Sequence, residues 1–425
     1  MRGRIVASTG ALLLIILLGG CAGQQDIWRQ IDAFMDTALS DKTTEQPSET
    51  TAVPQETVHT ALLETLPSAS SSSTAPTAAQ TVQPTTSVQD LTADEVYVIF
   101  CQELREFHTE FTISGKITGD MLDEAYYRVY RENPELFWVS GYSAEYNSVR
   151  ADVKVTTLND ADVSTLRQMS QAVESVADSV AAAAMAYPDD YSRLLYVHDY
   201  IVEHTVYDED GAAANQSDIG LCSWSTAYGC LVEGKAVCIG YAEAFQLIAQ
   251  KLGIPCGICT GEAKGVSHAW NYVYTDGAYY WVDVTWDDPT PENTVPENIK
   301  PEDTTQSYLH HAYFMINDEQ LYRTRTVDQD NGMVPVCDRL DNNYYVRNRN
   351  YLTSYSFSEI NSRMSAVSDS IEVMFSDYGS YEQAKWDLFT NNMIWYADVF
   401  NKKGGSYWYY HDDDMYILRL EFETN

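Results

Sequence analysis

The sequence predicts an α+β fold: a central domain with smaller α/β regions before and after it. Three observations carry this expectation. Residues 238–252 place Tyr241, Phe245, Ile248 and Leu252 at spacings of 4, 3 and 4, the period of one helical face. Residues 267–286 are two aromatic, extended runs separated by Asp276-Gly277, the signal of a two-residue hairpin. The regions before 160 and after 304 alternate helical and extended patterns on a smaller scale.

The chain begins with a leader pattern. Arg2 and Arg4 precede the apolar run Ile5 to Leu18, too short for a comfortable membrane span but suited to a signal-peptide core. It ends in Leu18-Gly19-Gly20-Cys21, which resembles a bacterial lipobox, in which the cysteine is lipidated and becomes the first mature residue. The expectation is an extracytoplasmic protein attached to the cell membrane by a lipid on Cys21. Residues 26–40 have a helical apolar face of Ile27, Ile31, Phe34 and Met35. In residues 41–90, Ser, Thr and Pro make up nearly half of the segment. Such a composition buries too little apolar surface to offset its ordering entropy, so it is expected to be a spacer.

Residues 91–160 are expected to form a small α/β domain. Helices are predicted near 92–108 and 119–131, a strand at Leu136–Val139 after the turn Asn133-Pro134, and an extended segment at 149–157. The central domain is expected over 161–303. Its first part, 161–205, reads as helix broken at Pro188. His198 and His204 lie on the second helix and are expected to be packed structural residues. Residues 206–233 form a long approach, the kind of loop that carries function. The acidic, proline-rich stretch 287–303 and Asp412–Asp414 are read as solvated loops rather than calcium sites. The C-terminal region, 304–425, is predicted to hold strands at 371–375 and 415–422 and a helix at 380–399. Its aromatic run Tyr407–Tyr410 is read as packing.

Bulk properties limit the partners. The formal net charge is -36 and no basic patch stands out, so nucleic acid is not expected as a partner. Eight cysteines are present. With Cys21 assigned to lipid and Cys238 to chemistry, six are left, enough for three disulfides whose pairing the sequence leaves open. Cys256-x-x-Cys259 has no second pair or matching histidines, so no zinc or redox site is expected.

The chemistry concentrates at 234–287. Gly253 and Pro255 end the helix that begins near Cys238. A thiol at a helix N-terminus is favoured as thiolate by the unsatisfied N–H groups and the dipole. The Cys238 N–H is also suited to stabilising an oxyanion. A two-residue turn at Asp276-Gly277 pairs Thr275 with Ala278, so that facing positions sum to 553. Trp270 then faces Asp283, and His268 and Asp283 share one face as diagonal neighbours. A three-residue loop would send Asp283 to the other face. Cys238, His268 and Asp283 are therefore candidates for nucleophile, acid–base and orienting group. Trp224 and Tyr228 are candidate second oxyanion donors, and Trp270 a candidate cleft wall.

The segments GKAVCIGYAEAF at 234–245, LGIPCGICTGEA at 252–263, SHAWNYVY at 267–274 and YYWVDVTWD at 279–287 resemble the transglutaminase-like superfamily, a branch of papain-like cysteine enzymes. YVHDYIVEHTVYD at 196–208 and AYGCLVEGKAVC at 227–238 resemble its secreted bacterial members. The resemblance implies a papain-like core, Cys238 as nucleophile, His268 as general base and acid, and Asp283 as orienter. It implies action on peptide or carboxamide carbonyls through a thioester. The extracytoplasmic location makes proteins or wall peptides the expected substrates, and no cofactor and no metal is expected. Water as acceptor would make a peptidase, and an amine a transglutaminase. The rival expectation is a surface interaction module that keeps the fold without turnover.

Overall fold

The computed structural model describes residues 3–8, 90–213, 222–288, 311–328, 334–401 and 404–424. Cys21, the 26–40 helix, the tether and nearly all of the acidic stretch lie outside the described residues. Among the described residues no helix is long and apolar enough to cross a membrane.

Strand β1 (Gly3–Ser8) belongs to the run read as a leader, and it lies antiparallel along residues 141–146, with Gly3 opposite Tyr146 and Ser8 opposite Gly141. Helix α1 (Ala93–Arg105) starts at Thr92, where a capping box with Glu95 satisfies two backbone N–H groups. Strand β2 (Glu110–Ser114) and helix α2 (Gly119–Glu132) follow. The predicted strand at Leu136–Val139 is corrected: Pro134–Leu136 is a 3-10 turn, and β3 (Val139–Tyr146) begins only after it. Pro134 has no N–H for a ladder and suits the first position of a helical turn. The aromatic run is buried all the same, with Phe107 stacked on Trp138. β4 (Arg150–Thr157) completes a sheet in the order β1-β3-β4-β2.

Helices α3 (Val163–Ala184) and α4 (Asp190–His204) separate around Pro188, and Asp189 caps the second through the Ser192 N–H. The approach is described at residues 206–213 and 222–233. It contains β5 (Val206–Tyr207), paired in parallel with β6 (Lys235–Ala236), and short turns at Glu209–Ala213 and Ser223–Ser225.

Helix α5 (Cys238–Lys251) is the centre of the molecule. Its spacing predicts one apolar face, but every residue from Cys238 to Ala249 is buried. The reason is that the central sheet covers one side and α3 and α4 another, so no face is left for solvent. That sheet contains β7 (Cys256–Ala263), β8 (Val266–Thr275), β9 (Ala278–Val282), β10 (Phe314–Ile316) and β11 (Arg325–Val327), all antiparallel, in the order β10-β9-β8-β7-β11. Strand β9 ends earlier than expected, and Val284–Asp287 forms a short helical turn, α6, instead of more strand.

In the C-terminal region, β12 (Tyr351–Leu352), β13 (Ser370–Phe375), β14 (Gly405–Asp412) and β15 (Ile417–Thr424) form a sheet in the order β12-β13-β15-β14. The single helix predicted over 380–399 is corrected. It breaks into Tyr378–Lys385, a wide turn at Trp386–Thr390 and a 3-10 turn at Met393–Tyr396. Asn392 sits between the pieces in the left-handed region at φ 58°, which asparagine tolerates better than most residues. The aromatic run on β14 packs as expected, with Phe389 stacked on Tyr409. Asp412–Asp414 is not simply solvated: Asp413 binds Lys385 and Tyr381, and Asp414 pairs with Lys264. Cys101, Cys230, Cys238, Cys256, Cys259 and Cys337 are free thiols, and five of these six are buried, Cys256 being half-buried.

Candidate active site

Val237 is the N-cap of α5, so Cys238 is its first helical residue. The first N–H groups of a helix have no acceptors within a preceding turn, and Cys238 stands at that end. The approach segment lies against this end: the Trp224 carbonyl accepts the Val237 N–H at 2.8 Å. Contact this close needs Gly240. A Cβ there would lie 2.9 Å from the Thr226 carbonyl oxygen and 3.1 Å from that of Trp224. Glu243, three residues after Gly240, accepts the Ala227 N–H at 2.9 Å and ties the same segment down from inside. Burial pushes its carboxyl up to about 8 against the lowering effect of that bond.

The hairpin has the register of the tight turn. Thr275 faces Ala278 and Asn271 faces Val282, with Asp276 at φ 52° and Gly277 at φ 80°, as a type I′ turn requires. Asn271 donates to the carbonyls of Ala242 and Gly257 and so fixes α5 against the sheet. His268 on β8 is thereby held beside Cys238, its hydrogen-bond partner on one side. On the other side His268 Nε2 lies 2.9 Å from Asp283 Oδ2. Both residues are at most 5% exposed. Asp283 follows the last residue of β9 and caps α6, its Oδ1 accepting the Trp286 N–H at 3.2 Å. The Asp283 N–H donates to the Tyr313 carbonyl at 3.1 Å.

A fourth charged group completes the site. Arg325 on β11 donates to Asp283 Oδ2 through Nε at 3.0 Å and Nη2 at 2.5 Å. It is 2% exposed, and its guanidinium lies over the rings of Tyr313 and Trp286, 3.9 and 4.6 Å from their centroids. Burial alone would raise the Asp283 carboxyl, but His268 and Arg325 hold it down to about 2. Burial would lower the His268 imidazole, but Asp283 and Cys238 raise it to about 9. Imidazolium, carboxylate and guanidinium together leave one positive charge in this buried place beside the Cys238 sulfur.

The structure brings Cys238, His268 and Asp283 together. Trp224 and Tyr228 lie on the approach segment, and Tyr228 stacks on Phe137 of the N-terminal region. Trp270 is corrected as a cleft wall. It is 1% exposed, and its ring stacks against His268, where it supports the imidazole from within the core. The half-buried Trp286, edge-on to His268, is better placed to line an opening. Sequence reading missed Arg325 and Tyr207. The Tyr207 phenol is raised by burial and by the charges of Cys238, Asp208 and Asp283, which places it in the field of the site.

Residues 177–285 match the model of the transglutaminase-like superfamily. The likeness to transglutaminase-like domains is confined to those residues, which lie within an α+β fold. Among solved structures the chain is similar to a TGase, with 15% identity, 47% of this chain and 56% of that one covered, and a TM-score of 0.27. It is similar to a candidate cysteine protease from Cytophaga hutchinsonii (19% identity, 35% and 58% covered, TM-score 0.21). A candidate protease from Parabacteroides distasonis is a third (7% identity, 32% and 34% covered, TM-score 0.20). In each case the chain spans less than two thirds of the structure it matches. No curated protein matches the chain.

Proposed function

We propose that this chain is an extracytoplasmic thiol enzyme of transglutaminase-like type, held to the membrane by a lipid on Cys21 and acting on peptide or carboxamide groups. One observation carries the reading: the first residue of a buried helix is a cysteine hydrogen-bonded to an imidazole whose other side rests on a carboxylate. Cys238 Sγ attacks the carbonyl carbon, and the oxygen takes up the negative charge. The Cys238 N–H and one further donor hold that oxygen; Tyr207, close enough to feel the Cys238 charge, is the candidate for the second. The oxyanion collapses, the C–N bond breaks, and His268 gives its proton to the departing amine, leaving a thioester. Water or an amine then attacks the thioester while His268 takes its proton, and the Cys238 thiolate departs. Asp283 keeps the ring oriented and supports its charge throughout. Proteins or wall peptides are the substrates the location suggests.

An electrophilic, thiol-directed probe tests this. Labelling at Cys238 in the folded protein, slowed strongly in His268→Ala, is the expected result. Absence of labelling at Cys238, or equal labelling in the variant, would leave a binding module without turnover. Gln-containing peptides with a primary amine then separate amine incorporation from cleavage. For the anchor, Cys21→Ser is expected to leave the membrane fraction, and its retention there would refute lipidation.

A further inference from the structure

A second cluster of ligating side chains lies behind the site, between α4 and the segment that leads into β10. We propose that His198, Asp199 and His311 bind a divalent transition-metal ion of the zinc class. The ligand atoms of the three residues lie within 4.8 Å of one another. Asp199 Oδ1 is 3.0 Å from His198 Nδ1 and 2.9 Å from His311 Nε2, so both imidazoles already turn one nitrogen to the same carboxylate oxygen. Metal–ligand bonds of about 2.0–2.2 Å in a tetrahedron separate ligand atoms by about 3.4 Å, so these two spacings would open by about half an ångström.

The donor set fits the ion. Two imidazoles and one carboxylate are borderline ligands that suit zinc, and with a water as fourth ligand they complete a tetrahedron. His198 and His311 are buried, whereas the Asp199 side chain is 30% exposed, which gives an ion its way in. The surroundings hold the ligands in place. His198 Nε2 lies 3.0 Å from Asp287 Oδ2, the outer carboxylate that orients a metal-bound imidazole and strengthens it as a donor. The His311 ring is stacked on Tyr344 at 3.9 Å. Asp287 is itself fixed by the Tyr313 N–H at 2.9 Å. Two neutral imidazoles, Asp199, Asp287 and a divalent ion sum to zero charge, a balance this buried place favours.

Bound metal would clamp α4 to the chain 112 residues later. It would therefore fix Tyr313, whose carbonyl holds the Asp283 backbone. The proposal does not rest on the thiol chemistry, and its test omits the thiol. Untagged, chelator-stripped Cys238→Ser protein is titrated with Co2+, followed by visible absorption, and with Zn2+, followed by calorimetry and Tm. One ion per chain and a higher Tm are expected, with Co2+ giving the strong visible bands of four-coordination. Asp199→Asn and His311→Gln are each expected to weaken binding at least about tenfold, and Asp287→Asn about 10–100-fold. Asp199 is the part-exposed ligand, so Asn at that position keeps the test open if a buried variant misfolds. Failure of the folded protein to bind either ion, or binding that Asp199→Asn and His311→Gln leave unchanged, would overturn the proposal.

Discussion

Two imidazole–carboxylate pairs are anchored at the two ends of one helical turn, α6. At its N-cap, Asp283 holds His268 at 2.9 Å; at its last residue, Asp287 holds His198 at 3.0 Å. All four side chains are buried, and both imidazoles are raised to about 9 against burial, by carboxylates in both cases. The third partner separates them. His268 meets a thiol, and its carboxylate is shared with Arg325. His198 meets a second carboxylate, Asp199, in place of a thiol. A buried His–Asp pair is therefore not itself a sign of acyl chemistry. The group on the far nitrogen decides whether the imidazole moves protons or holds structure.

The sharpest way to break that contrast is to neutralise each carboxylate in turn. Asp283→Asn is expected to lower kcat/KM by about 10²–10⁴-fold, because the imidazole loses the partner that sets its tautomer and supports its charge. Asp287→Asn is expected to leave kcat within a few fold and to cost about 3 kcal/mol of stability, the usual scale for stranding a buried charge. Steady-state kinetics and urea unfolding read the two outcomes. Comparable losses of kcat in both variants would mean that the two pairs act as one network through Tyr313.

Arg325 supplies the next test. Arg325→Met removes a buried cation and leaves His268 as the charged partner of Asp283, which keeps the Trp286 N–H. Stability is expected to fall by about 3–5 kcal/mol. The freed carboxylate should raise the His268 imidazole further, so the alkaline limb of the rate profile, expected near pH 9 in the parent, moves upward. With the positive charge of the guanidinium gone from the site, the negative charge that develops during acyl transfer is less well supported and kcat/KM should drop about 10–100-fold. An alkaline limb that stays in place would show that Arg325 braces the fold without tuning the pair.

The geometry of the proposed site was legible in the sequence only where the chain's local chemistry dictates it. Asp276-Gly277 sets a turn, the turn sets the register, and the register puts His268 and Asp283 within reach. The start of α5 at Cys238 was equally readable from spacing. The run Val282-Asp283-Val284-Thr285 read as more strand because its β-branched residues favour one. What ends the strand is the Asp283 side chain capping the Trp286 N–H, a signal that an aspartate three residues before a free amide could have given. Arg325 was beyond such reasoning. It lies 42 residues from Asp283, on a three-residue strand, and only the pairing of β11 with β7 brings it in. The same holds for His198 and Asp287, 89 residues apart. Long-range polar pairs leave no periodicity to read.

Glu243 offers the smallest and cleanest expected effect, because it touches neither histidine pair. Its carboxyl is buried against the Ala227 N–H and raised to about 8 by that burial, whereas in the unfolded chain it ionises near 4.5. A folded-state value above the unfolded one gives a contribution that is whole below about pH 4.5 and lost as pH rises through about 8. His198 and His268, raised to about 9 from 6.5, add losses of the same sign at higher pH. Glu243→Gln keeps an oxygen to accept the Ala227 N–H and removes the titration. The variant should match the parent within about 1 kcal/mol near pH 5 and exceed it by a few kcal/mol near pH 9. The histidine contribution remains in both, so the variant's stability still declines with pH, but less steeply. Parallel curves from urea unfolding across that range would mean that Glu243 carries no raised carboxyl, and the inner tie on the approach segment would have to be an ionised one.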